Sequence, residues 1–157
     1  MNILDPIITG IEQKRVKLQA REVAVKFYKA SGTADLKKGQ VMRFYFAGGA
    51  IDTVQEMTAG GQGVFAGVLV KDYDACKSGD IIKMYVGSGE CDALCDGTTD
   101  IAVGDLLYGD DDLGGFVKIT GDAAWSPAAI ALEEYTSNAA ALKKVYLTGA
   151  QFSEIDT

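Results

Sequence analysis

Apolar residues in this chain come in short runs with the period of a β-strand, and most runs are closed by glycine or polar residues. Val23, Val25 and Phe27 alternate with Ala24, Lys26 and Tyr28. Met42, Phe44 and Phe46 share a face opposite Arg43 and Tyr45, and Ile82, Met84 and Val86 share one opposite Lys83 and Tyr85. A strand sends successive side chains to opposite faces, so each pattern reads as a half-buried strand. Residues 64–70 are almost wholly apolar, which predicts a strand covered on both faces. Shorter candidates lie at 101–103, 106–108, 116–119, 129–132 and 144–147. The three alanines of 137–142 suggest one helical turn. Nineteen glycines against two prolines supply the tight turns that many short strands need. The expected fold is mainly β, a small β-barrel or β-tulip with an N-terminal extended arm.

Two internal echoes sharpen this expectation. Lys38-Gly39-Gln40-Val41-Met42, Ser78-Gly79-Asp80-Ile81-Ile82 and Val103-Gly104-Asp105-Leu106-Leu107 each lead from glycine and a polar residue into an apolar strand. In a longer echo, Ala66-Gly67-Val68-Leu69-Val70-Lys71-Asp72-Tyr73 matches Ala128-Ala129-Ile130-Ala131-Leu132-Glu133-Glu134-Tyr135. Lys83-Met84-Tyr85-Val86 then matches Lys144-Val145-Tyr146-Leu147. Two strand–turn–strand copies are expected to pack as quasi-equivalent halves of one barrel.

The chain divides into an arm, 1–21, and a body, 22–157. Asp5-Pro6 can cap a short helical turn that Gly10 would stop, and residues 11–20 show no clean period. Residues 1–43 carry nine bases and four acids, net +5, whereas 44–157 carry six bases and eighteen acids, net −12. Such asymmetry marks a tail docking on an opposite charge, or a solvated surface with chance clustering. The acidic body would repel phosphates, so no direct nucleic acid partner is expected. No run is long enough to span a bilayer, and no signal peptide is recognisable, so the expectation is a soluble intracellular protein, or one assembled into a particle made inside a cell.

Catalytic constellations are sparse. The chain has no histidine, which removes the commonest general base and zinc ligand and rules out a histidine-activated Ser126 or Ser88. Gly61-Gln62-Gly63-Val64-Phe65-Ala66 has dinucleotide-loop spacing but leads into a strand rather than a helix. Cys91 and Cys95 with Cys76 make a poor zinc set and an unpaired disulfide set. Asp110-Asp111-Asp112 lacks the alternation of a calcium loop. Eighteen body acids make any carboxylate pair arbitrary, and Trp125 alone could line a sugar groove. No enzyme activity, metal, cofactor or disulfide is expected.

Residues 64–70 with Gly79-Asp80-Ile81-Ile82-Lys83-Met84-Tyr85-Val86 resemble the small β-barrel head proteins of tailed phages. So do Ile101-Ala102-Val103-Gly104-Asp105-Leu106-Leu107-Tyr108, and Ala129-Ile130-Ala131-Leu132-Glu133 leading to Val145-Tyr146-Leu147. These are decoration or cement proteins, and the resemblance covers roughly residues 20–150. It implies a trimeric body on the outer surface of the virion head, with an arm touching the major capsid protein. Ile3, Leu4, Pro6, Ile7, Ile8, Lys14, Arg15, Lys17 and Arg21 are the candidate capsid contacts. Tyr28, Tyr45, Tyr85 and Tyr146, opposite the most apolar rows, are the candidate oligomer contacts. The alternatives are another phage structural part, such as a head-fibre base or tail adaptor, and a small-ligand-binding barrel or enzyme.

Overall fold

Among its described residues, every element of the computed structural model is a strand, as the alternating pattern requires. It describes residues 19–46, 52–57, 64–95, 99–109, 114–119, 127–136 and 139–149. The first seven strands are β1 (Arg21–Phe27), β2 (Ala34–Leu36), β3 (Val41–Phe44), β4 (Thr53–Glu56), β5 (Phe65–Leu69), β6 (Tyr73–Cys76) and β7 (Ile81–Val86). Then come β8 (Ser88–Cys95), β9 (Leu106–Gly109), β10 (Phe116–Lys118), β11 (Ala129–Ala131) and β12 (Ala141–Thr148).

The strands close into two barrels. Barrel 1 has the order β1-β4-β3-β5-β7 and barrel 2 the order β10-β8-β12-β11-β9. Gly87, at φ +77°, is the single residue between β7 and β8. The halves of the long echo therefore do not share one barrel: one copy stands in each. A short sequence match shows that a unit recurs, whereas closure is decided by long-range partners of each copy.

The two barrels match in topology and register. Each closes through one parallel pair, β1 with β4 and β8 with β10. Val68 pairs with Tyr85 and Leu69 with Met84, as Ile130 pairs with Tyr146 and Ala131 with Val145. Val41 faces Val68 as Leu106 faces Ile130. Glu22 faces Tyr85 as Glu90 faces Tyr146. The match extends to the edge, where the small β2–β6 sheet pairs Leu36 with Tyr73 and a lone bridge joins Ile101 to Tyr135. Barrel 2 thus repeats barrel 1 position by position.

The recurrent turn explains part of this regularity. Gly39, Gly79 and Gly104 have φ of +83°, +93° and +91°, the left-handed conformation that the third residue of a type II turn needs. The N–H groups of Gln40, Asp80 and Asp105 donate back to the carbonyls of Lys37, Lys77 and Ala102. The side chains of those same three residues accept from the N–H groups of Lys37, Lys77 and Ala102 at 3.0, 2.9 and 2.8 Å. The Ala102 amide holds the Asp105 carboxyl below its usual range. Each glycine N–H donates at 2.8 Å to a neighbouring strand, at Leu69, Phe27 and Ala131 respectively. Those residues return a bond to the carbonyl that follows the glycine. One motif therefore caps a turn and starts a ladder three times over.

Alternation places the cores. Phe27, Met42, Leu69, Ile82 and Met84 fill barrel 1, and Cys91, Ala93, Cys95, Leu107, Phe116, Val145 and Leu147 fill barrel 2. Two sequence expectations fail here. The helical turn at 137–142 is absent at its end, because Ala141 and Leu142 open β12 and pair with Cys95 and Leu94. Residues 101–103 are not a strand: Ile101 makes one bridge and Val103 enters the glycine turn.

Candidate interaction surfaces

The outer wall of barrel 1 is where the barrels meet. Val41 and Val68 point away from the barrel 1 interior, opposite in sense to Met42 and Leu69, and yet both are fully buried. They join the barrel 2 core cluster, with Phe65, Met57 and Tyr85 packed against it. The double-sided burial expected for 64–70 has this cause: one face fills barrel 1 and the other covers barrel 2. Phe65 meets Phe116 with ring centroids 5.8 Å apart. Two backbone bonds stitch the contact, Val41 N–H to Gly114 O and Leu94 N–H to Gly39 O, each 2.7 Å. Gly109 lies so close that an added Cβ would stand 2.9 Å from Val41 Cγ1. Gly39 lies against Leu142 and the Ala93–Leu94 backbone.

Other apolar side chains remain in the open. Val103 is 65% exposed, Ile81 59%, Leu106 47%, Phe46 47% and Leu142 42%.

The four candidate tyrosines separate into two kinds of site. Tyr28 and Tyr45 stack with centroids 3.6 Å apart and planes 7° from parallel. A side-chain hydrogen bond with Tyr28 raises the Tyr45 phenol above its ordinary value. Tyr28 also borders a shallow recess of about 280 Å³ with Lys29, Ser31, Gln55 and Glu56. Lys29 and Glu56 form an ion pair there at 3.2 Å. Tyr85 and Tyr146 instead occupy the same register position in the two barrels, Tyr85 at the barrel junction. Burial first, and then the charge of Glu22, raise the Tyr85 phenol.

Of the candidate capsid contacts, Arg21 is the exposed first residue of β1, paired with Val86. Ile3, Leu4, Pro6, Ile7, Ile8, Lys14, Arg15 and Lys17 lie outside the described residues, as do Gly61 to Gly63, the Asp110–Asp112 run, Trp125 and Ser126. Sequence reasoning missed Leu106, Val103 and Ile81 as surface features. The available signal was their register opposite Leu107 and Ile82, which puts Leu106 and Ile81 on the outer wall.

The cysteines are free and buried. Cys91 and Cys95 both point into barrel 2 from one strand, about 13 Å apart at strand rise, beyond the roughly 7 Å a disulfide spans. Burial pushes the Cys91 thiol up to about 12. Among the described residues, no group of three acid, cysteine or histidine side chains is placed to hold a metal. All three thiols are therefore expected to resist a thiol-reactive dye in native protein and to react fully in denaturant. The Cys91 value also fixes a pH effect. The folded thiol ionises later than the unfolded one, so its contribution is whole below about pH 9 and is lost as pH rises toward 12. Cys91→Ala should flatten alkaline unfolding in that window, read by denaturant titration at pH 8 and 10.5.

No family model matches the chain, and no curated protein does. Among solved structures, the chain is similar to the N base of the head fiber gp8.5 of bacteriophage phi29. The likeness has a TM-score of 0.50 at 18% identity and covers 87% of this chain and 100% of that one. At this identity it is a likeness of fold.

Proposed function

We propose that the chain is a non-enzymatic structural part of the outside of a tailed-phage head. In this reading it is a decoration protein, trimeric, seated on the major capsid protein by its barrels and its basic N-terminal segment. The observation that carries the reading is the likeness of the tandem-barrel body to a phage head-fiber base over 87% of the chain. The missing histidine supports a structural rather than a catalytic role. Such a part acts by mass action: a ligand that binds only the assembled shell lowers that state's free energy. A second reading, the base of a head fibre, is favoured by the same neighbour. It differs in having something further attached to the barrels.

The test is co-sedimentation with purified heads, in which binding should saturate at a fixed ratio to capsid subunits. Deleting residues 2–18, which stops short of the Gln19 bridge and the buried Ala20, should leave the circular dichroism of the body unchanged and weaken attachment about tenfold or more, a loss of ~1.4 kcal/mol. Attachment of the full chain should also weaken with salt, because the screening length falls to about 3 Å at 1 M. Failure of the full chain to sediment with any head would reject both readings. Equal affinity of the deleted chain would reject the segment's role alone.

A further inference from the structure

The barrel duplication leaves an interface half used. In barrel 1 the outer row Val41–Val68–Tyr85 is covered by barrel 2. The register assigns the equivalent row of barrel 2 to Leu106, Ile130 and Tyr146. Val41 is fully buried, whereas Leu106, in the same position, is 47% exposed. The neighbouring turn repeats the contrast. Gly39 is pressed against Leu142, while Gly104, with the same conformation, has nothing within 4 Å, and Val103 beside it is 65% exposed. Val103 stands where barrel 1 has Lys38, so the tip of this turn is more apolar in the barrel that leaves it uncovered.

The receiving side is also present twice. Barrel 2 receives barrel 1 on the end formed by Leu94, Gly109, Gly114 and Leu142. The equivalent end of barrel 1 carries Lys26, Phe44 and Ile81, by the matched pairs Lys26–Ile81 and Leu94–Leu142. Ile81, in the place of Leu142, is 59% exposed, and Phe46 beside Phe44 is 47% exposed. Of the five large exposed apolar residues among those described, two lie on the unused wall of barrel 2 and two on the unused end of barrel 1. The fifth, Leu142, is already at the junction.

We propose that barrel 2 of one chain docks through Leu106 and Val103 onto the Ile81–Phe46 end of barrel 1 of a second copy, extending the intrachain barrel contact between chains. The occupant is a second copy because the chain carries a counterpart of each half of the intrachain contact. The two backbone bonds are not repeated, since Lys26 N–H and Asp52 O, in the places of Leu94 N–H and Gly114 O, bond each other. The contact is not identical to the internal one. Phe44 fills the place of Gly109, so the incoming barrel sits on the rim of barrel 1 and does not press a side chain as close as Val41 lies to Gly109. A contact between two different surfaces is heterologous, and it closes into a ring or continues as a filament. The number of copies, three, rests on the trimer proposed above; the contact itself does not.

Two variants test it, Leu106→Arg on one side and Ile81→Arg on the other. Both sites are solvent-exposed in the single chain, so each variant should keep the native circular dichroism and melting transition. Each should weaken self-association about 100-fold or more, as loss of a central apolar anchor does, and run as a single chain in light scattering. Mixed one to one, the variants should recover a dimer, because each retains the side that the other lacks. A trimeric wild type with both variants still trimeric would overturn the inference and leave the trimer standing. Dissociated variants that stay single when mixed would overturn the head-to-tail pairing. A wild type that is a single chain at millimolar concentration would overturn both, while a filament or dimer broken and rescued as described would support this contact against three-fold closure.

Discussion

Phe116→Ala is expected to lower stability by about 3–5 kcal/mol, the usual cost of truncating a fully buried aromatic residue. Phe116 is wholly inaccessible and lies in the barrel 2 core, where it pairs with Gly109 and Cys95 across the closing strands. Its small neighbours cannot collapse into the space left behind. Phe65, on the wall of barrel 1, would lose its ring partner as well. The cavity would therefore open where the barrels join and loosen both. For a chain of this size each kcal/mol moves the melting temperature by about 2–4 °C, so a fall of about 10 °C is expected in a thermal scan. A loss below about 1 kcal/mol would contradict the packing described.

The three recurrent turns provide a second large effect with internal controls. Gly39→Ala, Gly79→Ala and Gly104→Ala place the same side chain in nearly the same backbone conformation. The left-handed conformation alone costs roughly 1–2 kcal/mol for an L-residue, and that is the full expectation at Gly79 and Gly104, which face open space. At Gly39 the new Cβ would stand 2.9 Å from Leu94 N and press on Leu142, at the junction of the barrels. Overpacking there adds about 1–3 kcal/mol, bringing Gly39→Ala to roughly 2–5 kcal/mol. Urea unfolding of the three variants separates the conformational from the packing cost. Equal losses at all three positions would mean that the turn alone, and not the junction, sets the requirement for glycine.

Strands whose inward residues are large were legible in the sequence. β1, β3, β5 and β7 carry Phe27, Met42, Leu69 and Met84, which make the alternation visible. β8 was not recognised, although it is one of the two longest strands. Its inward residues, Gly89, Cys91, Ala93 and Cys95, alternate just as regularly but are small, and two of them drew attention as thiols. β4 has one buried apolar residue, Val54, and β2 and β6 are too short for a period to register. The echo between 66–73 and 128–135 was visible because both copies end in an acidic residue followed by tyrosine, Asp72-Tyr73 and Glu134-Tyr135. That each copy belonged to its own closed barrel was not, because the parallel pairs that close them join strands separated by intervening elements. Of the surface, the tyrosine positions could be read from alternation. The exposed Leu106 and the buried Val41 could not be told apart, since only the docking of one barrel on the other distinguishes them.

The one-residue connection at Gly87 has a consequence for the order in which the molecule is made. Barrel 1 contains all its closing partners by Val86, before any of barrel 2 has left the ribosome. Synthesis runs at roughly 5–20 residues per second and N-terminal units fold first, so barrel 1 is expected to close and wait several seconds for its neighbour. During that wait Val41, Val68 and Phe65 face water, and the growing chain presents a sticky wall that the completed protein hides. With so short a tether, β8 emerges beside that wall, and barrel 2 assembles against a surface that is already formed. The second half of the polypeptide thereby shields the first from association with other unfinished chains.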